Sequence, residues 1–419
     1  MSTTYLTQSL HIAVRQYPDR LATVCGLRRR SYGELVDRIA RLAGALQQLG
    51  MGCGARVGIL SKNSDRYLES NFAIWWGGGV VYPINNLLSE TEITLSLDDC
   101  GIEILIIDES FASQAEILMQ QSRSLRTIVY AGEGEVRTGM FEYENLISEH
   151  SPVCDELRSN SDLAVILYAD STTGFPKGVM LSHANLYIST LVVLKDIAHE
   201  GDIGLHVAPM FHLANGTFPL ALTMRGCTQV FIPEFHPELV LQTIQSEQIS
   251  NTLLVPATIQ MLIDNSLISE YKVGSLRQIS YSTSPISEAL LDRAMQRLPG
   301  TRFIQAYGLT EISPEISLLG PEFHSTEGRR SGKLLSAGRP SPCTEVKIVD
   351  ADGHEVAPGT VGEINLRGPG VMQGYWNKPE QTAEAIREGW VHTGNFAYID
   401  TDGFLFMVNR VKEVSRQRC

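Results

Sequence analysis

The chain is short of positive charge: 34 lysines and arginines face 47 aspartates and glutamates, a formal net charge of −13 over 419 residues. No excess of cations is available for a phosphate backbone, which argues against a nucleic-acid partner. Any anionic small molecule must be held by local dipoles and a few placed cations. Cysteine is sparse and dispersed. Cys25, Cys53, Cys100, Cys154, Cys227, Cys343 and Cys419 include no Cys-x-x-Cys pair. A zinc site is therefore not expected, and reduced thiols in a cytoplasmic protein are. Met1-Ser2-Thr3-Thr4-Tyr5 lacks the basic and apolar regions of a signal peptide. The strongest apolar stretch, Phe72 to Ile84, is shorter than a membrane span and is broken by Gly77-Gly78-Gly79. It reads as core and not as a transmembrane segment. Internal repeats, low-complexity tracts and charged tails are missing as well.

What is present is a large globular composition, 43% hydrophobic and 19% charged. The length exceeds that at which one core usually stops growing, so two or more subdomains are expected. Ser31 and Glu34 form a capping box ahead of a helix lined by Leu35, Ile39, Leu42, Leu46 and Leu49 and closed by Gly50. Apolar runs at Ala55 to Leu60, Ile104 to Ile107 and Thr127 to Tyr130 read as strands, with a helix from Tyr67 to Trp76. The alternation resumes later, with strands at Gln229 to Ile232 and Thr252 to Val255 flanking a helix from Pro237 to Glu247. Two doubly wound parallel sheets follow from this α/β pattern. From about Gly338 the pattern changes to antiparallel strands: Glu345 to Val349, Gly362 to Arg367, Tyr398 to Asp400 and Phe404 to Val408, with Asp352-Gly353 and Asp402-Gly403 turns. A small β-barrel-like unit is the natural reading.

The stretch that declares chemistry is Tyr168-Ala169-Asp170-Ser171-Thr172-Thr173-Gly174-Phe175-Pro176-Lys177-Gly178. Leu163 to Leu167 before it reads as a buried parallel strand, and Ser182 after it as a helix N-cap. Hydroxyls, glycines and a lysine on a turn between strand and helix suit a polyphosphate. The spacing is not that of the common Gly-x-x-x-x-Gly-Lys-Ser/Thr loop.

That loop resembles the Ser/Thr-Gly-rich phosphate loop, ending in Pro-Lys-Gly, of the adenylate-forming superfamily. Its members include acyl- and aryl-CoA synthetases, peptide-synthetase adenylation domains and luciferases. Tyr307-Gly308-Leu309-Thr310-Glu311 matches the superfamily's Tyr-Gly-x-Thr-Glu motif. Pro209-Met210-Phe211-His212 is similar to its Pro-x-Phe-His segment, and Ser282-Thr283-Ser284-Pro285 falls where Gly-Gly-Ala-Pro is usual. Gly389 to Asn395 is similar to Gly-Trp-x-x-Thr-Gly-Asp, and Asn409-Arg410 to Asp-Arg. Asn63-Ser64-Asp65-Arg66-Tyr67 and Gly374 to Glu380 look most like the acyl-CoA synthetase branch.

The resemblance implies that an acid attacks the α-phosphate of ATP to give acyl-AMP, and that CoA, or alternatively a carrier protein, takes the acyl group. It implies that Thr172, Thr173, Lys177 and Thr310 meet phosphates, and that Asp170, Ser171 and Gly174 line the same loop. Glu311 holds Mg²⁺ on the nucleotide, a role that suits a carboxylate oxygen. Tyr307 and Gly308 pack on adenine, Ser282, Thr283 and Ser284 line adenine and acyl group, and His212 lies near the acyl carboxylate. Asn395 and Arg410 reach the ribose and nucleotide. Residues 1–408 correspond to the superfamily's large domain, with α/β subdomains to about 337 and a β subdomain from about 338. Residues 409–419 correspond to a hinge remnant. The small C-terminal domain of about 100 residues, with its catalytic lysine and glycine-rich loop, is expected to be absent from these 419 residues.

Three residues depart from the pattern: Asp170 for Ser, Gly or Thr, Ser171 for Gly, and Asn395 for Asp. A carboxylate about 5 Å from a phosphate charge costs roughly 3 kcal/mol at an effective dielectric of ~20. Asn395 keeps an acceptor for the ribose but loses a charge-assisted bond. These departures leave open a degenerate relative that binds nucleotide or acyl ligands without turnover.

Overall fold

The structure is a computed structural model, and it describes residues 3–169, 176–313 and 315–408. The chain enters through α1 (Gln8–Gln16) and a hairpin of β1 (Leu21–Cys25) and β2 (Arg28–Ser31). Helix α2 (Tyr32–Gln48) follows at once. Its start is the expected capping box: the Glu34 amide donates to the Ser31 hydroxyl at 3.2 Å, and the Ser31 amide to the Glu34 carboxylate at 2.7 Å. Leu35, Ile39, Leu42 and Leu46 are buried along one face, and Gly50, at φ +108°, ends it.

The first sheet is built from β3 (Arg56–Leu60), α3 (Asp65–Trp76), β4 (Val80–Pro83), α4 (Glu90–Cys100), β5 (Ile104–Ile107), α5 (Ala115–Gln121), β6 (Thr127–Tyr130), β7 (Phe141–Glu142), α6 (Tyr143–Glu149), β8 (Leu163–Ala169) and β9 (Lys177–Ser182). The spatial order is β9-β8-β4-β3-β5-β6-β7, parallel from β8 to β7. The apolar stretch Phe72 to Ile84 is core, formed by the end of α3 and β4. Its glycines permit close packing, since a Cβ on Gly77 would lie 2.4 Å from the Met51 methyl.

Helix α7 (His183–Ile197) leads to β10 (Ile203–His206), α8 (Ala214–Met224), β11 (Thr228–Phe231), α9 (Pro237–Glu247), β12 (Asn251–Leu254), α10 (Pro256–Ile263), β13 (Gln278–Tyr281), α11 (Glu288–Arg297), β14 (Arg302–Gly308), β15 (Glu315–Leu319) and β16 (Arg339–Pro340). This second sheet has the order β16-β15-β14-β13-β12-β10-β11-β1-β2. The N-terminal hairpin therefore completes a sheet whose other strands lie far along the chain, with Val24 opposite Val230. Both sheets wind the same way: β4-β3-β5-β6-β7 in one corresponds to β11-β10-β12-β13-β14 in the other.

Strands β17 (Glu345–Val349), β18 (Gly362–Arg367), β20 (Ile386–Arg387), β21 (Trp390–Ile399) and β22 (Leu405–Val408) make a curled antiparallel half-barrel. Between β18 and β20, the two-residue β19 (Gly374–Tyr375) leaves that sheet to pair with β9, while β16 pairs with β15. The half-barrel is thereby tied to both α/β sheets.

One expectation needs correcting. The segment after the phosphate loop is not a direct turn into a helix but strand β9, antiparallel to β8, with Leu167 opposite Val179 and Ala169 opposite Lys177. Val179 and Leu181 are buried, so the apolar run is satisfied by pleating against β8 before α7 begins. The helix does start where expected: the Asn185 amide donates to the Ser182 hydroxyl at 3.1 Å. None of the described cysteines forms a disulfide. No helix among the described residues is long and apolar enough to cross a membrane.

Candidate active site

The carboxyl ends of β10, β13 and β14 carry three of the motifs. The loop leaving β10 presents His212 as an exposed ring, its centroid 4.5 Å from that of Phe211. A residue of the other sheet fixes this loop. Asn63, buried at the end of β3, donates to the Val207 carbonyl at 3.2 Å and the Ala208 carbonyl at 2.9 Å. Its own carbonyl accepts the Met210 amide at 2.8 Å. A planar amide with two donors and an acceptor thus bonds three backbone groups of this tight loop at once.

Ser282, Thr283 and Ser284 follow β13, and Thr283 has φ +75°. A β-branched residue is rarely found in this left-handed region, which glycine occupies without penalty. The position is one where the resemblance leads one to expect glycine, so Thr283 carries a strain that glycine would not.

Tyr307 and Gly308 end β14, where a register shift separates their pairing with β15. The Tyr307 hydroxyl accepts a hydrogen bond from the Asn395 amide at 3.2 Å. Asn395 is buried on β21 and so reaches the α/β unit from the half-barrel. Thr310 and Glu311 lie in a short 3-10 turn directly after β14. The Tyr375 hydroxyl donates to Glu311 Oε1 at 3.0 Å, and the Met372 amide to the Glu311 carbonyl at 2.9 Å. Lys177 Nζ stands 4.9 Å from the centroid of the Tyr375 ring, a cation–π contact. Burial, and then the Glu311 charge, push the Tyr375 hydroxyl above its ordinary value, so it stays a donor at neutral pH.

Two groups of expected residues thus converge: Tyr307 with Asn395, and Glu311 with Lys177 through Tyr375. Asp170, Ser171, Thr172, Thr173, Gly174 and Arg410 lie outside the described residues. Asn63 and Tyr375 are the site residues that motif reading left without a role. Both stand in stretches that resemble the acyl-CoA synthetase branch, but nothing in their spacing names a partner.

This arrangement has counterparts. A family profile described as "AMP-binding enzyme" matches residues 10–376. A feruloyl-CoA synthase from Amycolatopsis sp is 34% identical over 403 residues, 96% of this chain and 77% of that protein. The fatty acid–[acyl-carrier-protein] ligase ScoC of Streptomyces coeruleorubidus is 31% identical over 97% of this chain and 77% of its own length. The solved N-terminal domain of FACL13 from Mycobacterium tuberculosis superposes with a TM-score of 0.87 at 25% identity, covering 98% of this chain and 100% of that one. The profile spans β10, β13, β14 and β19 and the relatives cover nearly the whole chain, and on that ground the chain belongs to the AMP-binding, adenylate-forming enzyme superfamily, as its large N-terminal domain.

Proposed function

We propose that this chain binds ATP and a carboxylic acid and joins them as an acyl-adenylate, which a thiol then intercepts. In the first step an acid oxygen bonds to the α-phosphorus as the bond to pyrophosphate breaks. In the second a thiolate adds to the acyl carbon and AMP leaves with the bonding electrons. The observation that carries the reading is the Tyr307–Asn395 contact. Two residues 88 positions apart, each assigned to the nucleotide by its motif, meet at 3.2 Å across two subdomains. Tyr307 offers a flat face for adenine, and Asn395 brings an amide in place of a carboxylate toward the ribose.

Glu311 fits a magnesium-bound triphosphate. Its Oε1 is held by Tyr375, and the carboxylate would supply an oxygen ligand to a hard cation. Magnesium so held supplies countercharge to the phosphates. Lys177 adds a cation at the phosphate loop's exit, and His212, an exposed ring on the loop leaving β10, is the group we assign to the acid.

CoA is the acceptor we favour, because the feruloyl relative is a CoA synthase; the ScoC relative supports a carrier protein as the alternative. For these 419 residues by themselves we propose slow turnover. Asn395 has exchanged a carboxylate for an amide, and Asp170 brings negative charge into the phosphate loop. The test pairs acid-dependent pyrophosphate release with calorimetric titration of ATP, AMP and acyl-CoA. Nucleotide binding with slow, acid-dependent release supports the reading. Binding without any release favours a non-catalytic ligand-binding relative, and no nucleotide binding refutes both.

A further inference from the structure

In a doubly wound sheet, ligands bind outside the carboxyl ends of the strands, at the crevice where the winding reverses. For the order β11-β10-β12-β13-β14 that crevice lies between β10 and β12, and the loop leaving β10 carries His212. For the matching order β4-β3-β5-β6-β7 it lies between β3 and β5. None of the residues assigned to ATP, magnesium or the acid falls there, although Asn63, which holds the His212 loop, stands on its wall, and the place is hollow. A cleft of about 720 Å³ opens over the loops leaving β3 and β5, with the β1–β2 hairpin and α9 as its far walls. Small-molecule sites usually have volumes of roughly 300–1,000 Å³.

Charge decides what the cleft can hold. Its cations are already committed. Arg28 pairs with Asp65 at 2.6 Å and also with Glu133, Arg66 with Glu144 at 2.8 Å, and Lys62 with Glu234 at 3.1 Å. Two of its carboxylates are not matched in this way. Asp108 accepts from the Lys62 amide at 2.7 Å, the Ser61 hydroxyl at 3.1 Å and the Ser110 amide at 2.9 Å, all neutral donors. Among the described residues neither Asp108 nor Glu109 takes part in an ion pair, and burial raises the Asp108 carboxyl against the lowering by its hydrogen bonds. The hairpin tip and α9 contribute an apolar rim, with Leu27 100% and Leu239 36% exposed. Phe231 and Pro233 also line the cleft.

We propose that this cleft is a second ligand site, separate from the acid-activating one, and that it takes a small organic cation with an apolar arm. The ammonium group meets Asp108 and Glu109, and the arm lies along Leu27 and Leu239. An anion of the kind the other site accepts has the wrong sign here.

Calorimetry on the full 419-residue chain at low ionic strength tests this with three matched probes: 2-phenylethylammonium chloride, 2-phenylethanol and 2-phenylethyl phosphate. The ammonium probe should bind at one site, the alcohol about tenfold or more weakly, and the phosphate not at all. Asp108→Asn and Glu109→Gln should each weaken the ammonium probe about tenfold and spare the alcohol. Leu27→Ser should weaken both. Glu109 is exposed, so its variant carries the test if Asp108→Asn lowers the melting temperature enough to unfold the chain. The proposal is overturned if the ammonium probe does not saturate, if the alcohol or phosphate binds as tightly, or if the folded carboxylate variants bind it unchanged.

Discussion

Asn63 offers the sharpest test of how the candidate site is held. Asn63→Ala removes two donors and one acceptor from a position 5% exposed. It strands the Met210 amide and leaves the Val207 and Ala208 carbonyls without their amide partner. A buried group left unsatisfied costs about 1–3 kcal/mol, most for an N–H, which has no second bonding direction. Loss of stability should therefore total on the order of 3 kcal/mol. Asn63→Asp is the telling companion, because it has nearly the same shape. Its carboxylate still accepts the Met210 amide but sets a negative oxygen against two carbonyl oxygens, at 3.2 and 2.9 Å in the present geometry. It should be at least as harmful as alanine at neutral pH and should recover as acid protonates it. Urea unfolding measures the stability term. The functional term should appear as weaker acid binding with AMP affinity preserved, because the loop carries His212 and not the Tyr307–Asn395 pair. A change in stability within about 0.5 kcal/mol, as for an ordinary surface site, together with unaltered acid affinity, would refute the positioning role.

Tyr375→Phe keeps the ring beside Lys177 but removes the hydroxyl 3.0 Å from Glu311. Calorimetry should show magnesium–ATP binding weakened by about 1.5–3 kcal/mol, the range for a hydrogen bond to a charged group, and AMP binding unchanged; equal losses for both count against it. Thr283→Gly relieves a left-handed backbone and should stabilise the chain by about 1 kcal/mol after the entropic penalty of glycine. A lowered melting temperature would show that Thr283 makes compensating contacts. Burial holds His183 and His324 down to about 4, against an ordinary value of 6.5. The unfolded chain takes up these protons first, so the stability they confer is full above pH 6.5 and is lost as pH falls toward and through 4. Each contributes about 3 kcal/mol of this loss, and His324→Gln should flatten the stability profile between those limits in urea titrations.

What the sequence by itself determined is what neighbours along the chain can settle. The capping box at Ser31 and Glu34, the helix Pro237–Glu247, and the strands Ile104–Ile107 and Glu345–Val349 follow from local periodicity or local spacing, and the motifs around Tyr307 and Lys177 are legible through their resemblance to the superfamily's. The tertiary structure decided the pairings. Residues 21–31 form a hairpin whose place at the edge of the second sheet depends on β11, which lies far along the chain. Strand β9 is a strand because β8 offers it a ladder and β19 closes its other side. Asn63 is legible as a polar residue and no more until the loop of β10, 144 residues away at Val207, is laid against it. Tyr375 meets Glu311 across 64 residues only because β19 leaves the half-barrel. The physical reason is common to all four. Helix starts and turns are settled by hydrogen bonds within a few residues, whereas strand edges and buried amides are completed only by partners that chain folding brings from elsewhere.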